Sequence, residues 1–343
     1  MNFHSTMFWV AMAVSALASA QDGRVYVTIN GGSSSATAQS ASCARPPCSA
    51  VVSSSEVVSS APTGETTPVI SNKAVRLTLI KTAEAPVPEA MLIAGGAWFT
   101  SVTLNHIAVL VDHPQHPTER LMFDAGLSTT VEAERQADLN WLYRQVPLMG
   151  YRNLRPARQQ LPNDLLPKTI ALSHVHWDHA SGLVDFPQAE VWTAAAERQF
   201  AESSGPPAVF PSQVRGKTSR WKDIAFTPQT VCGFEQTKDV YGDGTVVLVS
   251  MPGHTPGSVG MLVTTGSGRK LFFVGDTVWL RRAVIEMLPK PFIMRTADNQ
   301  PIQVSGQIDR LAACLKSDAA IEIIPAHDSS VHDGLGYFPR WVD

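Results

Sequence analysis

The sequence predicts an α/β fold, and three observations predict it. Short apolar runs of strand length recur after residue 74, separated by stretches that read as helices. Charged residues make up only 17% while Pro (24) and Gly (23) are plentiful, which favours turns and β-structure over long solvated helices. Four of the strand candidates end in short loops carrying His or Asp, and a sheet sets the ends of its strands side by side.

Three segments follow in order. Met7 to Leu17 is an apolar run too short to span a bilayer as a helix, and Ala18-Ser19-Ala20 offers the small residues a signal peptidase reads. Residues 1–20 therefore read as a cleaved signal peptide, and the mature chain as secreted or periplasmic. Residues 21–72 read as a Ser-rich flexible linker: no Leu, Phe or Trp lies between Leu17 and Leu77, so too little apolar surface is present to offset the entropy of ordering. Within it, Arg24 to Ile29 has strand character, and Cys43 and Cys48 can close a small loop. Residues 73–343 read as one globular domain.

In that domain strands are expected at Val75–Ile80, Ile107–Val111, Leu121–Phe123, Lys168–Leu172, Val246–Val249, Leu271–Val274 and Ile321–Ile324. Helices fit Thr129–Tyr143, Ala194–Glu202 and Gly306–Leu315. Cys232 and Cys314 are expected as small buried hydrophobes rather than a pair. With 343 residues and 44% hydrophobic content, a large core can be buried. The formal net charge of −3 and the lack of basic runs exclude an electrostatic case for nucleic acid or an anionic membrane surface. No apolar stretch beyond the signal is long enough to span a membrane. Nothing in the sequence specifies an oligomeric state, and the expected partner is a small-molecule substrate.

The densest chemical signal is Ser173-His174-Val175-His176-Trp177-Asp178-His179. Two histidines at i and i+2 on an extended segment point the same way. The Asp-His pair that follows, at a turn into a helix, reaches a second centre. Three of the 10 histidines within six residues make surface or capping roles a weak alternative to metal binding. Imidazole and carboxylate suit zinc, and also iron, manganese or cobalt.

His-x-His-x-Asp-His resembles the signature of the metallo-β-lactamase superfamily. Later elements agree in order: Pro252-Gly253-His254, Gly275-Asp276-Thr277 and Pro325-Ala326-His327-Asp328. The resemblance runs from roughly Ala74 to the C-terminus. It implies an αββα sandwich with the metal site at one edge between two sheets. It further implies two divalent metal ions, zinc foremost: His174, His176 and His254 on one, Asp178, His179 and His327 on the other, and Asp276 bridging. The implied chemistry is hydrolysis by a metal-bridging hydroxide, with Asp178 as the catalytic residue that orients it and shuttles its proton. Asp124 resembles the early Asp that supports such sites through hydrogen bonds, or is a turn residue. Asp328 either orients a ligand or caps a turn. Ser173 reads as a strand end and Ser181 as a helix-turn residue. His106, His113, His116 and His332 fit no ligand position and are expected to be structural or on the surface.

Among branches, the pattern most resembles the lactonase-like group that includes acyl-homoserine lactonases, so an ester or lactone is the expected substrate. Those lactonases carry a Tyr three residues after the bridging Asp; here the position is Trp279, whose indole offers one N–H and a large apolar face. A bulkier or more apolar substrate follows. Trp177 and Trp279, each within three residues of an expected ligand, are candidate pocket residues, with Trp98, Phe99, Trp141 and Phe292 as further aromatics. Residues 141–162 form either an entry loop or a solvated surface segment. The competing readings are an exported phosphotriester hydrolase and an iron-dependent oxidoreductase on the same fold.

Overall fold

Burial in the strand Ser101–Asp112 (β2) alternates between two cores. Ile107, Val109 and Val111 point into one apolar cluster, and Ala108 and Leu110 into another. A strand covered on both faces reads as a continuous apolar run, which is why Ile107–Val111 shows no polar alternation. A computed structural model describes residues 74–343; the expected signal peptide, linker, Arg24–Ile29 strand and Cys43–Cys48 loop lie outside them.

The first sheet runs in the order β1 (Arg76–Pro88), β2, β3 (Leu121–Phe123), β4 (Thr169–Ala171), β5 (Glu190–Thr193) and β6 (Trp221–Asp223). The second contains β7 (Thr227–Val231), β8 (Phe234–Asp239), β9 (Val246–Ser250), β10 (Val259–Thr264), β11 (Lys270–Phe273) and β12 (Ile321–Ile324), in the spatial order β12-β11-β10-β9-β8-β7. β3 to β6 are parallel, as are β11 and β12; the other pairings are antiparallel.

Eight α-helices lie among the described residues: α1 (Val131–Asp138), α2 (Ala157–Gln160), α3 (Trp177–Ala180), α4 (Ala195–Ser203), α5 (Pro211–Val214), α6 (Arg281–Ile285), α7 (Pro301–Ser317) and α8 (Ser329–Leu335). Leu77, Val109 and Phe123 of the first sheet share a cluster with Leu248, Met261 and Phe273 of the second, so the sheets pack face to face. The outer face of the first sheet meets Ala157, Ala201 and Val214 from α2, α4 and α5. The outer face of the second meets Val304, Ile308 and Leu311 of α7. These layers make the αββα sandwich. Among the described residues, no helix is long and apolar enough to cross a membrane.

Several expectations are corrected. The first strand extends to Pro88, with a register shift between Lys81 and Ala83, because its whole length pairs with β2. The helix expected over Thr129–Tyr143 stops at Asp138: Leu139 turns extended and is buried, and the Asn140 side chain accepts from Leu142 N and Tyr143 N to start a new turn. α7 begins at Pro301, a residue suited to the first helical turn, rather than at Gly306. Cys232 and Cys314 form a disulfide between the β7–β8 turn and α7, with Cα atoms 4.9 Å apart. Their separation of 82 residues hides that proximity in the sequence.

Candidate metal centre

The parallel strands β3 and β4, and β11 and β12, deliver their C-terminal loops to one edge of the sandwich. After β4 the chain runs extended through His174 and His176, then turns into α3. Val175, between them, points the other way into the helix-side core. Gly182 lets this turn press against the loop after β3: a Cβ there would lie 2.2 Å from Ala125 O. The backbone N–H of Gly182 donates to Gly126 O at 2.8 Å.

All seven ligands expected from the sequence are brought together. Ligand atoms of His174, His176 and His254 lie within 4.8 Å of one another, as do those of His174, His179 and Asp276. His254 Nε2 is 3.0 Å from His176 Nδ1. On the other side, His179 Nε2 and His327 Nε2 are 3.3 Å apart. Asp178 Oδ2 lies 3.4 Å from His327 Nε2 and 3.9 Å from His179 Nε2. Asp276 stands between the two groups. Its Oδ1 is 3.1 Å from His327 Nε2 and 3.3 Å from His179 Nε2, while its Oδ2 is 3.6 Å from His254 Nε2 and 4.0 Å from His174 Nε2.

Surrounding contacts fix which ring nitrogen faces the cluster. A carboxylate or carbonyl oxygen only accepts, so the imidazole nitrogen beside it carries the proton. His179 Nδ1 donates to Asp124 Oδ2 (2.9 Å), His254 Nδ1 to Asp298 Oδ1 (2.7 Å) and His327 Nδ1 to Asn105 O (2.8 Å). Ser173 Oγ donates to Asp124 Oδ2 (2.8 Å) and lies 3.0 Å from His174 Nδ1. The Nε2 lone pairs of all four rings are thereby turned inward. His174 Nε2 and Asp276 Oδ1 are buried without a hydrogen-bond partner. Lone pairs and a carboxylate converging at 3.1–3.3 Å repel unless a cation lies between them. Bonds of about 2.0–2.1 Å to one tetrahedral ion place its ligand atoms roughly 3.3 Å apart. The donor set therefore fits divalent metal.

The electrostatics divide accordingly. Burial and the neighbouring imidazoles push the His174 and His176 pKa values well below the ordinary range. Burial, then Lys290, lowers that of His254. Burial would lower His179 and His327 too, but the carboxylates outweigh it and raise both: Asp124, Asp276 and Asp178 around His179, and Asp276 and Asp178 around His327. Burial works against ionisation of Asp276, yet His327 and His179 hold it well below the usual carboxylate range. One group is thus three imidazoles whose protonation is disfavoured, and in the other the carboxylates favour positive charge, whether a proton or a metal ion.

Other residues singled out in the sequence fall as follows. Asp124, at φ 59°, is buried and also accepts from Ser173 N at 2.7 Å, bracing the start of the motif. Asp328 caps α8 through Ser330 N and accepts from Arg281 N at 2.7 Å. Ser181 Oγ bonds Ser128 and Glu134. Trp177 is buried and stacks on Phe210 with centroids 5.5 Å apart. Trp279 is buried, and its indole N–H donates to Asp276 Oδ2 at 2.8 Å. Trp98, Phe99, Trp141 and Phe292 are exposed. Segment 141–162 is tied to β1 by reciprocal backbone bonds between Glu84 and Arg152. His113 pairs with Asp243, and His332 is buried on Pro325 O.

Sequence reasoning missed four residues at the site. Glu197 of α4 accepts from Val175 N (2.8 Å) and Gly257 N (2.9 Å), joining the His176 and His254 loops. Its burial pushes its pKa up to about 7. Gly257 is needed because a Cβ there would meet Glu197 N at 2.4 Å. Lys290 and Asp298 form a buried ion pair behind His254, and Lys290 Nζ donates to Asp276 O at 2.8 Å. His106 is buried and lies 3.2 Å from Asp178 Oδ2. Only His106 carried a signal, as half of an Asn-His pair inside an apolar strand; the other three sit in unremarkable polar sequence.

Known proteins share this plan. A probable metallo-hydrolase of Mycobacterium tuberculosis is 29% identical over 204 residues, covering 55% of this chain and 60% of that protein. An acyl-coenzyme A thioesterase of Homo sapiens is 28% identical, covering 47% and 56% respectively. The N-acyl homoserine lactonase AttM of Rhizobium radiobacter is 27% identical, covering 38% and 49%. The chain thus spans about half to three-fifths of the length of these curated relatives. In fold, AiiA of B. thuringiensis with N-decanoyl-L-homoserine bound at its active site superposes with a TM-score of 0.60 at 18% identity, over 79% of this chain and 100% of that one. Residues 104–327, more than half of the chain, match the model of the metallo-beta-lactamase superfamily, and the chain belongs to that superfamily.

Proposed function

We propose that the chain is a binuclear metal-dependent hydrolase acting on the carbonyl of an ester or lactone with an apolar acyl part. The observation that carries this reading is Asp276, whose two oxygens face the two separate imidazole groups. Two divalent ions, zinc foremost, would supply an activated water and an electrophile for the carbonyl oxygen. His174, His176 and His254 would hold one, Asp178, His179 and His327 the other, and Asp276 both. Around them the protein's own groups do the rest. Asp124, Asp298 and Asn105 O hold the imidazoles in the tautomer that ligates. Asp178 is kept ionised because His179, His106 and His327 outweigh the effect of burial. Ionised, it can orient an attacking water as a hydrogen-bond acceptor and relay the proton toward the leaving oxygen.

The acyl preference rests on the rim. Phe292 follows Lys290 by two residues, and the loop carrying Trp98 and Phe99 is tied to Pro289 through Ala94 N–H (3.0 Å). These three aromatics are 84%, 55% and 96% exposed, respectively, on segments that adjoin Lys290 in the chain or through that bond. Trp279, where lactonases of the resembling group have Tyr, is engaged with Asp276 and leaves the carbonyl to other groups. The lactonase and thioesterase relatives support acyl transfer to water over phosphotriester cleavage or iron-dependent redox chemistry.

Export is part of the proposal, since a disulfide between Cys232 and Cys314 supports an oxidising compartment. The test is a panel of medium- and long-chain esters, lactones and phosphotriesters given to the zinc-loaded protein. Turnover confined to esters or lactones, rising with acyl length and lost in Asp178→Asn, supports the reading. Turnover of phosphotriesters alone, or oxygen consumption by an iron-loaded protein, overturns it.

A further inference from the structure

His106 is the unexplained group at this centre. It lies within β2, on the strand that crosses beneath the cluster, and is 2% exposed. Its Nε2 has no hydrogen-bond partner, and its Nδ1 meets only Asp178 Oδ2, at 3.2 Å. A buried imidazole nitrogen left unsatisfied costs its desolvation, and native proteins rarely keep one without use. Its ring is set between Trp177, with centroids 5.7 Å apart, and His327, at 5.4 Å and near-perpendicular. Neither contact satisfies a nitrogen.

Ligand atoms of His106, Asp178 and His327 all lie within 4.8 Å of one another. His106 Nδ1 is 3.2 Å from Asp178 Oδ2, and Asp178 Oδ2 is 3.4 Å from His327 Nε2. The same spacing separates the atoms expected around a single ion, such as His179 Nε2 and His327 Nε2 at 3.3 Å. Edges of this length belong to atoms that share one small cation at about 2.0–2.1 Å.

We infer that His106 is a ligand of the second metal ion, through Nδ1, alongside Asp178, His179, His327 and Asp276. This inference rests on the two-metal reading above and adds a third imidazole to the second ion. The second site then holds three neutral donors and two carboxylates, and the first three neutral donors and one shared carboxylate. Such a richer shell binds the second ion more firmly and leaves fewer positions on it for water.

The test is a competition titration with zinc against a chromophoric chelator, on the metal-free protein and two variants. His106→Ala opens the space and His106→Phe fills it, so one folded variant suffices; His327→Ala serves as the reference for loss of an accepted ligand. The expected result is two ions in the unsubstituted protein and one tight ion in each His106 variant, with the second weakened at least tenfold. Cobalt bound at the second site should change its visible absorption in the variants, and added imidazole should restore that spectrum in His106→Ala. Unchanged affinity for both ions with an unchanged cobalt spectrum would make His106 a packing or proton-donating neighbour of Asp178 and overturn the inference. An unsubstituted protein that takes up a single ion would instead overturn the two-metal reading, and this inference with it.

Discussion

The indole N–H of Trp279 donates to Asp276 Oδ2 at 2.8 Å, so the residue three positions after Asp276 holds its carboxylate. Lys290 Nζ lies 4.6 Å from the Trp279 ring centroid and also bonds the Asp276 backbone carbonyl. Trp279 and Lys290 together grip Asp276 from its side chain and its backbone.

Trp279→Phe keeps the ring and removes the donor. Hydrogen bonds to charged groups contribute about 1.5–3 kcal/mol. Zinc affinity should fall by roughly tenfold or more, as for other residues that orient ligands. The check is the chelator titration, and an affinity unchanged in both sites would leave the hydrogen bond without a role in metal binding.

His176→Ala and Asp276→Ala separate the two groups. The first removes one of three imidazoles from the His174–His176–His254 group and should abolish metal binding there with nearly all activity. The second should leave at most one ion per chain, because each group loses an oxygen. Elemental analysis after desalting decides both, and two ions retained in Asp276→Ala would contradict the shared role of that residue.

Lys290→Met leaves Asp298 buried with its partner cation gone. Breaking one side of a buried pair costs about 3–5 kcal/mol, far more than an exposed pair would. Urea unfolding at neutral pH should show that loss, and His254 should bind metal less firmly because Asp298 is repositioned. A cost below about 1 kcal/mol, the range of surface pairs, would contradict the contribution assigned to the pair.

His332 sets a pH dependence. Burial lowers its pKa to about 4 against an ordinary value of 6.5. A depressed folded value means the unfolded chain takes up the proton first. The contribution is present above about 6.5 and is lost as pH falls toward about 4, amounting to about 3 kcal/mol. His332→Gln, which can still donate to Pro325 O, should flatten the stability profile across that window. Metal release in acid is common to both proteins and cancels in the comparison; parallel profiles would sink the assignment.

The site was legible because its candidate ligands cluster in sequence or follow strand ends. His174, His176, Asp178 and His179 fall within six residues, and the loops after β9, β11 and β12 each carry one more. The strands that were legible, such as β11 and β12, are buried on both faces. Those missed include β7, at a sheet edge, whose residues Thr227 to Thr230 are exposed and which contains Pro228. His106 reads in sequence as structural or surface and lies buried beside Asp178, since a single histidine inside β2 looks the same in sequence whether it meets core or cluster. Lys290, Asp298, Glu197 and the Cys232–Cys314 pair act through contacts far apart in the chain, and no local pattern encodes such distances.

The central claim is a pair of ions held around Asp276, and elemental analysis of the purified protein tests it most directly. The account predicts about two divalent ions per chain, zinc foremost, with ester or lactone turnover lost on chelation and restored by zinc. One ion or none in protein that is folded and has been offered zinc would contradict it.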